Sequence, residues 1–543
     1  MNAKMSLLSL AIVSGLAMSG SVEAAGNQRG AAIARADALV GSNPALVRRA
    51  QADTFVARDS AVDADGTEHV RYQRKYRGLP VIGGDFVMHS RNGKVTGISQ
   101  SLKTSARPGL AARISADQAI VEAGAHFAPR FLGAPTARAV VYARGASPVL
   151  AHEVVLRGFK PDQTESIMHY IVDATSGRIL DRWDDVQTAL PGPGGSGSCA
   201  GATAATGTGK SLTAGNVVLN TIKCGSTYQM IDSTRGNGAT HNMAMKTAGM
   251  GAVFTASINI WGNNLVSNSQ TAAADAHYGV ATTWDYYKNV HGRNGIANDG
   301  KGAISRVHYG RNYQNASWSD GCFCMTFGDG DNGATILPFV VLDIAGHEMT
   351  HGVTSRSAGL IYSGESGGLN ESTSDIFGTS VEYYANNAND PADYVIGEEL
   401  FLNNANMSQA IRYMFKPDLD NYSQSCYDPA TTPTAAVHSS SGIGNHFFYL
   451  LAEGAVVPAG FGAGSWANLS PSSLVCNGNT SLVGIGRAAA GKIWYRALTV
   501  YMTSSTNYAG ARAATLSAAA DLYGAGSTQH NAVAAAWSAV SVN

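Results

Sequence analysis

Two histidines four residues apart, His347 and His351, bracket Glu348 in the run Asp343-Ile344-Ala345-Gly346-His347-Glu348-Met349-Thr350-His351. On a helix, positions i and i+4 share a face, one turn apart. Both imidazoles can then reach one metal ion at ~2.0–2.1 Å, and a carboxylate next to the first suits a general base acting on an activated water. A catalytic zinc takes three protein ligands and keeps a fourth position open. Glu371, 20 residues after His351, is the candidate third ligand, in Gly368-Leu369-Asn370-Glu371-Ser372-Thr373-Ser374-Asp375. A turn at Ser363-Gly364-Glu365-Ser366-Gly367 lets a second helix fold back on the first. Asp375 lies one turn beyond Glu371, placed to accept the free ring N–H of a ligating histidine, and Asn370 can do the same for His351. An isolated H-E-x-x-H arises by chance in roughly one chain in a hundred of this length, so the added carboxylates carry the argument.

The elements that must hold these groups are helical. Residues 341–355, 367–387, 443–453 and 485–503 carry helical patterns, and Asn531–Val540 reads as a short closing helix. From the Gly/Pro/Ser-rich stretch Leu190–Ser198 to about 330 the sequence reads as strands and turns. Upstream, residues 26–110 alternate short strands with turns, with period-two alternation at 68–76 and 85–89. A helix is predicted at Ser115–Phe127, then strands at Val140–Tyr142, His152–Leu156 and His169–Val172. The fold class expected is α+β: a β-rich N-terminal lobe and a mainly α-helical C-terminal lobe, preceded by a two-part α+β region.

At 543 residues the chain is too long for one compact domain, and 45% hydrophobic residues supply ample core. Lys4, the apolar run from Leu7 to about Met18, and Ser21-Val22-Glu23-Ala24 read as a secretory signal, cut after Ala24 or Ala25. No later run reaches the ~20 apolar residues of a membrane span, so no membrane anchor is expected. The six cysteines then read as disulfides. Cys199–Cys224 and Cys426–Cys476 are plausible pairs by proximity, while Cys322-Phe323-Cys324 would close a very tight ring or remain two thiols. Residues 26–188 carry 21 Lys+Arg against 16 Asp+Glu, and residues 189–543 carry 16 against 22, so the two parts should attract weakly. No dense basic stripe exists, which argues against a nucleic-acid partner.

The run from His347 to Tyr384 resembles the thermolysin-like neutral zinc metalloproteases, and the similarity extends from about 200 to the C-terminus. Further landmarks are Asn315-Ala316-Ser317-Trp318, Gly328-Asp329-Gly330-Asp331, Ile411-Arg412 and Val437-His438-Ser439-Ser440-Ser441-Gly442. The secreted, cysteine-containing pseudolysin and vibriolysin type is most similar in pattern, and residues 26–183 resemble its pro-region: a fungalysin/thermolysin propeptide module, then a PepSY-like one. The boundaries expected are 1–25 signal, 26–110 and 111–188 pro-region, 189–345 N-terminal and 346–543 C-terminal catalytic lobe.

The resemblance implies roles. His347, His351 and Glu371 would bind zinc, and Glu348 would move the proton. Tyr362 and His438 would stabilise the oxyanion. Asn315, the backbone of Ala316, and Arg412 would hold the substrate main chain. Ile336, Phe339, Ile344 and Ile411 would form an apolar pocket that selects bulky apolar residues just after the scissile bond. Asp343, Glu382, Asp393, Glu398 and the Val395 carbonyl would bind one structural calcium. One departure stands out. The family usually carries an aspartate shortly before the histidine matched by His438, but here Ala435-Ala436-Val437 precedes it and the nearest upstream acid is Asp428. The expectation is a secreted, extracellular, monomeric zinc endopeptidase acting on peptides and proteins, with its own pro-region as chaperone and inhibitor until cut near 188–191. An inactive protease fold used for binding, or a zinc amidase or esterase, are the rival classes.

Overall fold

The computed structural model describes residues 28–127, 130–185 and 199–543; the expected signal segment and the Gly/Pro-rich junction with its cleavage site lie outside them. The chain divides into two compact units, the first comprising residues 1–115, 138–152 and 173–176, and the second the remainder. The first segment of unit 1 ends at Ser115, five residues past the expected 110/111 boundary, and residues 138–152 and 173–176 also belong to that unit.

In the first unit an antiparallel meander of Asp53–Val62, Thr67–Tyr76, Phe86–Arg91 and Lys94–Gln100 carries helix α1, residues 28–42. Ala36 and Val40 of α1 pack with Val70, Tyr72, Phe86 and Met88. The sequence reading expected only strands and turns here. Its helical stripe is built of alanines (Ala32, Ala36), whose small side chains give a weak periodic signal.

The second unit opens with α2, Ala116–Ala125, and the antiparallel pair Glu165–Asp173 and Ile179–Asp184. The expected strand-and-turn region after 199 is interrupted by a long helix, α3, Ser269–His291. Asn268 caps it by accepting from the Gln270 N–H, and Gly292 ends it in the left-handed region. Small residues on most of its faces are buried, among them Ala272, Ala273, Ala274, Ala276 and Gly279, so no apolar stripe marks it in the sequence. A mixed sheet ends in the hairpin Ala316–Ser319 and Cys324–Phe327, with Ala316–Ser319 as its edge strand.

The edge strand lies beside α4, Leu342–Ser355, which packs against α5, Gly364–Ala385. The predicted lobe boundary at 345/346 falls inside α4. Two glycines set the approach of α4 and α5. A Cβ on Gly346 would sit 3.0 Å from the Gly378 Cα, and one on Gly378 would sit 2.5 Å from the Asp343 carbonyl oxygen. Gly378→Ala is therefore expected to lower stability by about 1–3 kcal/mol through overpacking, measured by denaturant unfolding; an unchanged midpoint would contradict the close seam.

α5 packs on α6, Val437–Glu453, which starts six residues before the predicted 443 because its first turn, Val-His-Ser-Ser-Ser-Gly, is polar. α7, Arg487–Arg496, continues into a wider helical turn at Ala497–Tyr501. α8, Tyr508–Tyr523, and α9, Thr528–Ala539, close the lobe, with the Trp537 and Phe447 rings stacked 3.8 Å apart. All six cysteines are paired: Cys199–Cys224, Cys322–Cys324 and Cys426–Cys476, with Cα separations of 5.9, 5.2 and 6.0 Å. The tight ring is thus closed.

Candidate active site

The spacing of His347 and His351 on α4 places both rings on its α5 side, where Glu371 projects back from α5. The two Nε2 atoms are 3.0 Å apart. Glu371 Oε2 is 3.5 Å from His347 Nε2, and its Oε1 is 3.5 Å from His351 Nε2. All three residues are at least 95% buried. Two ring nitrogens and a carboxylate facing one point are the donor set of a catalytic zinc, and among the described residues Glu371 Oε2 accepts no hydrogen bond, only longer ionic contacts with His347 and His438.

The other face of each ring is fixed. His347 Nδ1 is 2.8 Å from Asp375 Oδ1, and His351 Nδ1 is 2.8 Å from Asn370 Oδ1. The Asn370 amide in turn donates to the Leu360 carbonyl, which sets its oxygen toward His351. Both Nδ1 atoms therefore carry the proton, and both Nε2 lone pairs point at the metal position. Burial pushes His351 down to about 4, so that ring is neutral at working pH, as a ligand must be. Burial opposes the charge on Glu371, but His438, His351 and His347 outweigh it and hold the carboxyl at about 2.

Glu348 is 6% exposed, and burial lifts its carboxyl to about 7, a value suited to taking up and releasing a proton near neutrality. Tyr362 and His438 approach Glu371 from the solvent side. The Tyr362 hydroxyl donates to Glu371 Oε1 and lies 3.3 Å from His438 Nε2, which is also 3.3 Å from Glu371 Oε2. Asp428 does not orient His438. Its carboxylate accepts from Ala430 N–H and the Thr431 hydroxyl within its own turn, and among the described residues Glu371 is the carboxylate paired with His438.

Arg412 is buried and forks onto Asp375, with Nε and Nη2 each 2.7 Å from one carboxylate oxygen. Asn445 of α6 donates to Asp375 as well, at 2.7 Å. The sequence reading missed Asn445, which lies 70 positions away with no local pattern to mark it. Asn315 is exposed at the start of the edge strand, where its side chain accepts from the Ala316 N–H. Ile336, Phe339, Ile344 and Ile411 all join the main apolar core.

A second group lies at the far side of the α4–α5 pair. Glu382, Glu398 and Glu399 bring carboxylate oxygens within 4.8 Å of one another. Asp343 turns its two oxygens to the N–H groups of Ile344 and Gly397, at 2.6 and 2.7 Å. Asp393 accepts from the Val395 N–H at 2.7 Å. Oxygens of Glu382, Asp390, Asp393, Glu398 and Glu399 are buried with no donor among the described residues. Asp390 and Glu399 were not among the residues expected from sequence. The only signal for them was the density of acids between 382 and 399.

A helix-borne His-Glu-x-x-His completed by a glutamate from the next helix defines the class: a metallopeptidase of the kind whose zinc is held by two histidines and a glutamate. Family models agree. The thermolysin metallopeptidase catalytic domain matches residues 206–355, its alpha-helical domain matches 358–542, and the fungalysin/thermolysin propeptide motif matches 53–102. The chain is 44% identical over 496 residues to the transglutaminase-activating metalloprotease of Streptomyces mobaraensis, covering 90% of this chain and 61% of that protein. It is 37% identical over 499 residues to a thermolysin of Bacillus sp. (strain EA1), covering 88% of this chain and 84% of that one. It is 35% identical over 505 residues to a bacillolysin of Brevibacillus brevis, with 90% and 84% covered. The chain belongs to the thermolysin family of metallopeptidases and carries that family's propeptide motif. The family uses zinc, and His347, His351 and Glu371 fit it.

Proposed function

We propose that this chain is a secreted zinc endopeptidase, made as a pro-enzyme, that cleaves peptide bonds before bulky apolar residues. The observation that carries the reading is the convergence of His347 Nε2, His351 Nε2 and a Glu371 carboxylate on one point beside the buried Glu348. Zinc held there would polarise the scissile carbonyl and make a water acidic enough to attack. Glu348 accepts the proton of that water and delivers it to the leaving amine, a shuttle its near-neutral carboxyl suits. Tyr362 and His438 donate to the oxygen that becomes negative. Asn315, the Ala316 backbone and Arg412 hold the substrate main chain, the last while anchored on Asp375. Ile336, Phe339, Ile344 and Ile411 receive the side chain after the cut.

Asp343, Glu382, Asp393, Glu398 and the Val395 carbonyl, joined by Asp390 and Glu399, hold calcium. The support is the set of buried carboxylate oxygens with no donor, which a hard cation with six to eight oxygen ligands satisfies. Inhibition by the pro-region is supported by contacts inside the second unit. The Gln163 side-chain amide pairs with both the N–H and C=O of Arg311, and Ser363, next to Tyr362, donates to Asp181. Secretion rests on the signal-like N-terminus and the paired cysteines, and no helix among the described residues is long and apolar enough to cross a membrane.

Digestion of a peptide library by the processed enzyme tests the reading. Cuts are expected before Leu, Ile, Val and Phe, abolished by a zinc chelator and restored by zinc. Activity on esters or amides but not on peptides, or cleavage indifferent to chelation, would refute it.

A further inference from the structure

The ring Cys322-Phe323-Cys324 closes the turn of the hairpin whose edge strand faces α4. A cross-link spanning a sequence separation of 2 restrains the unfolded chain least, since the entropy removed grows with loop length. The other two disulfides, with separations of 25 and 50, fill that role far better. Whatever this ring does is therefore local.

What it holds is specific. Phe323 sits in the left-handed region at φ 52°, where a bulky side chain is disfavoured, so a free turn of this sequence would relax. Its ring meets Trp318 edge-on at 5.3 Å, and the Arg356 guanidinium lies 5.8 Å from its centre. The Trp318 indole N–H donates to Asp320 at 2.8 Å, and Asp320 also accepts from Ser355 and Arg356 at the end of α4, both at 2.9 Å. The indole lies so close to α4 that a Cβ on Gly352, the residue after His351, would sit 2.8 Å from it. Cys324 is fully buried and starts the inner strand opposite Ser319. The tip of the hairpin is thus clamped to the end of the helix that carries His347, Glu348 and His351.

We propose that the Cys322–Cys324 disulfide is a positioning element for catalysis: it holds the edge strand Ala316–Ser319 in place against the helix that carries Glu348, and opening it lowers turnover while leaving the fold and the metal intact. The proposal rests on the reading of Glu348 as the proton-transfer group.

The test is the double variant Cys322→Ser/Cys324→Ser in the processed enzyme, set beside Glu348→Gln. Turnover is expected to fall ~10- to 100-fold, as misplacing a catalytic group by an ångström or less does. KM, zinc content and thermal midpoint should stay near the parent values, and hydrogen exchange of residues 316–319 should quicken while that of α4 does not. Unchanged turnover, or a loss that tracks lost zinc or a lowered midpoint, overturns the proposal. If the variant does not accumulate, the same readouts are taken on the parent after brief treatment with a water-soluble phosphine. That reagent is oxidised to its phosphine oxide with an oxygen from water as each disulfide becomes two thiols, which alkylation and mass spectrometry locate. If Glu348→Gln itself stays active, the reading of Glu348 fails. If it is inactive and the serine variant is fully active, only the present proposal fails.

Discussion

Glu348→Gln is expected to leave a folded, zinc-loaded protein that hydrolyses peptides roughly 10⁴-fold more slowly than the parent, the upper range for loss of a general base. Glutamine has the size of glutamate, so the edge strand and α4 have no reason to move. What disappears is the capacity to take a proton. Glu348 is outside the set formed by His347, His351 and Glu371, so metal binding should be spared. The measurement is kcat/KM on an internally quenched peptide, with zinc determined on the same sample. Activity within tenfold of the parent at full zinc would remove Glu348 from its assigned role.

The second large effect is the stability lost on calcium removal, and its pH dependence has a definite sign. Burial and mutual repulsion raise the carboxyls of this group: Asp393 to about 6, Asp343 to about 7 and Glu399 to about 9. Their unfolded values lie near 4. Without a cation the folded protein therefore binds more protons than the unfolded chain between about pH 4 and 9, and its stability falls as pH rises through that window. Calcium bound there would replace those protons and remove the penalty. Chelation should thus cost little at pH 5 and much at pH 8, about 4 kcal/mol if calcium had been present at a thousand times its Kd. Denaturant unfolding of the Glu348→Gln protein, which avoids self-digestion, checks this. A chelator effect equal at both pH values, or larger at pH 5, would rule out calcium at this cluster.

How much of this was legible in the sequence follows from the range of the interactions. The predicted helix 341–355 and the observed Leu342–Ser355 nearly coincide because the motif is local and periodic. Asp375 was expected to accept from a ligating histidine and Asn370 from His351; Asp375 pairs with His347 and Asn370 with His351, since helix spacing on α4 and α5 fixes which faces meet once the turn between them is placed. α3 was invisible because burial on most faces erases the polar–apolar contrast that marks a helix. Asn445 and Arg412 reach Asp375 from segments 70 and 37 positions away, and no spacing rule encodes that. Asp390 was missed for a different reason. It precedes a proline in an irregular loop, where periodicity carries no information about direction.

The glycine contact between Gly346 and Gly378 has a thermodynamic corollary. Asp343 and His347 belong to one rod, Glu371 and Glu382 to the other, and the seam lies between the residues that fit zinc and those proposed for calcium, like a hinge pin between two rivets. A shift of one rod along the other would move both sets of ligands at once, so filling one site is expected to bias the alignment of the other. Such coupling is reciprocal: by whatever factor the hard cation tightens the hold on the transition metal, the transition metal must tighten the hold on the hard cation.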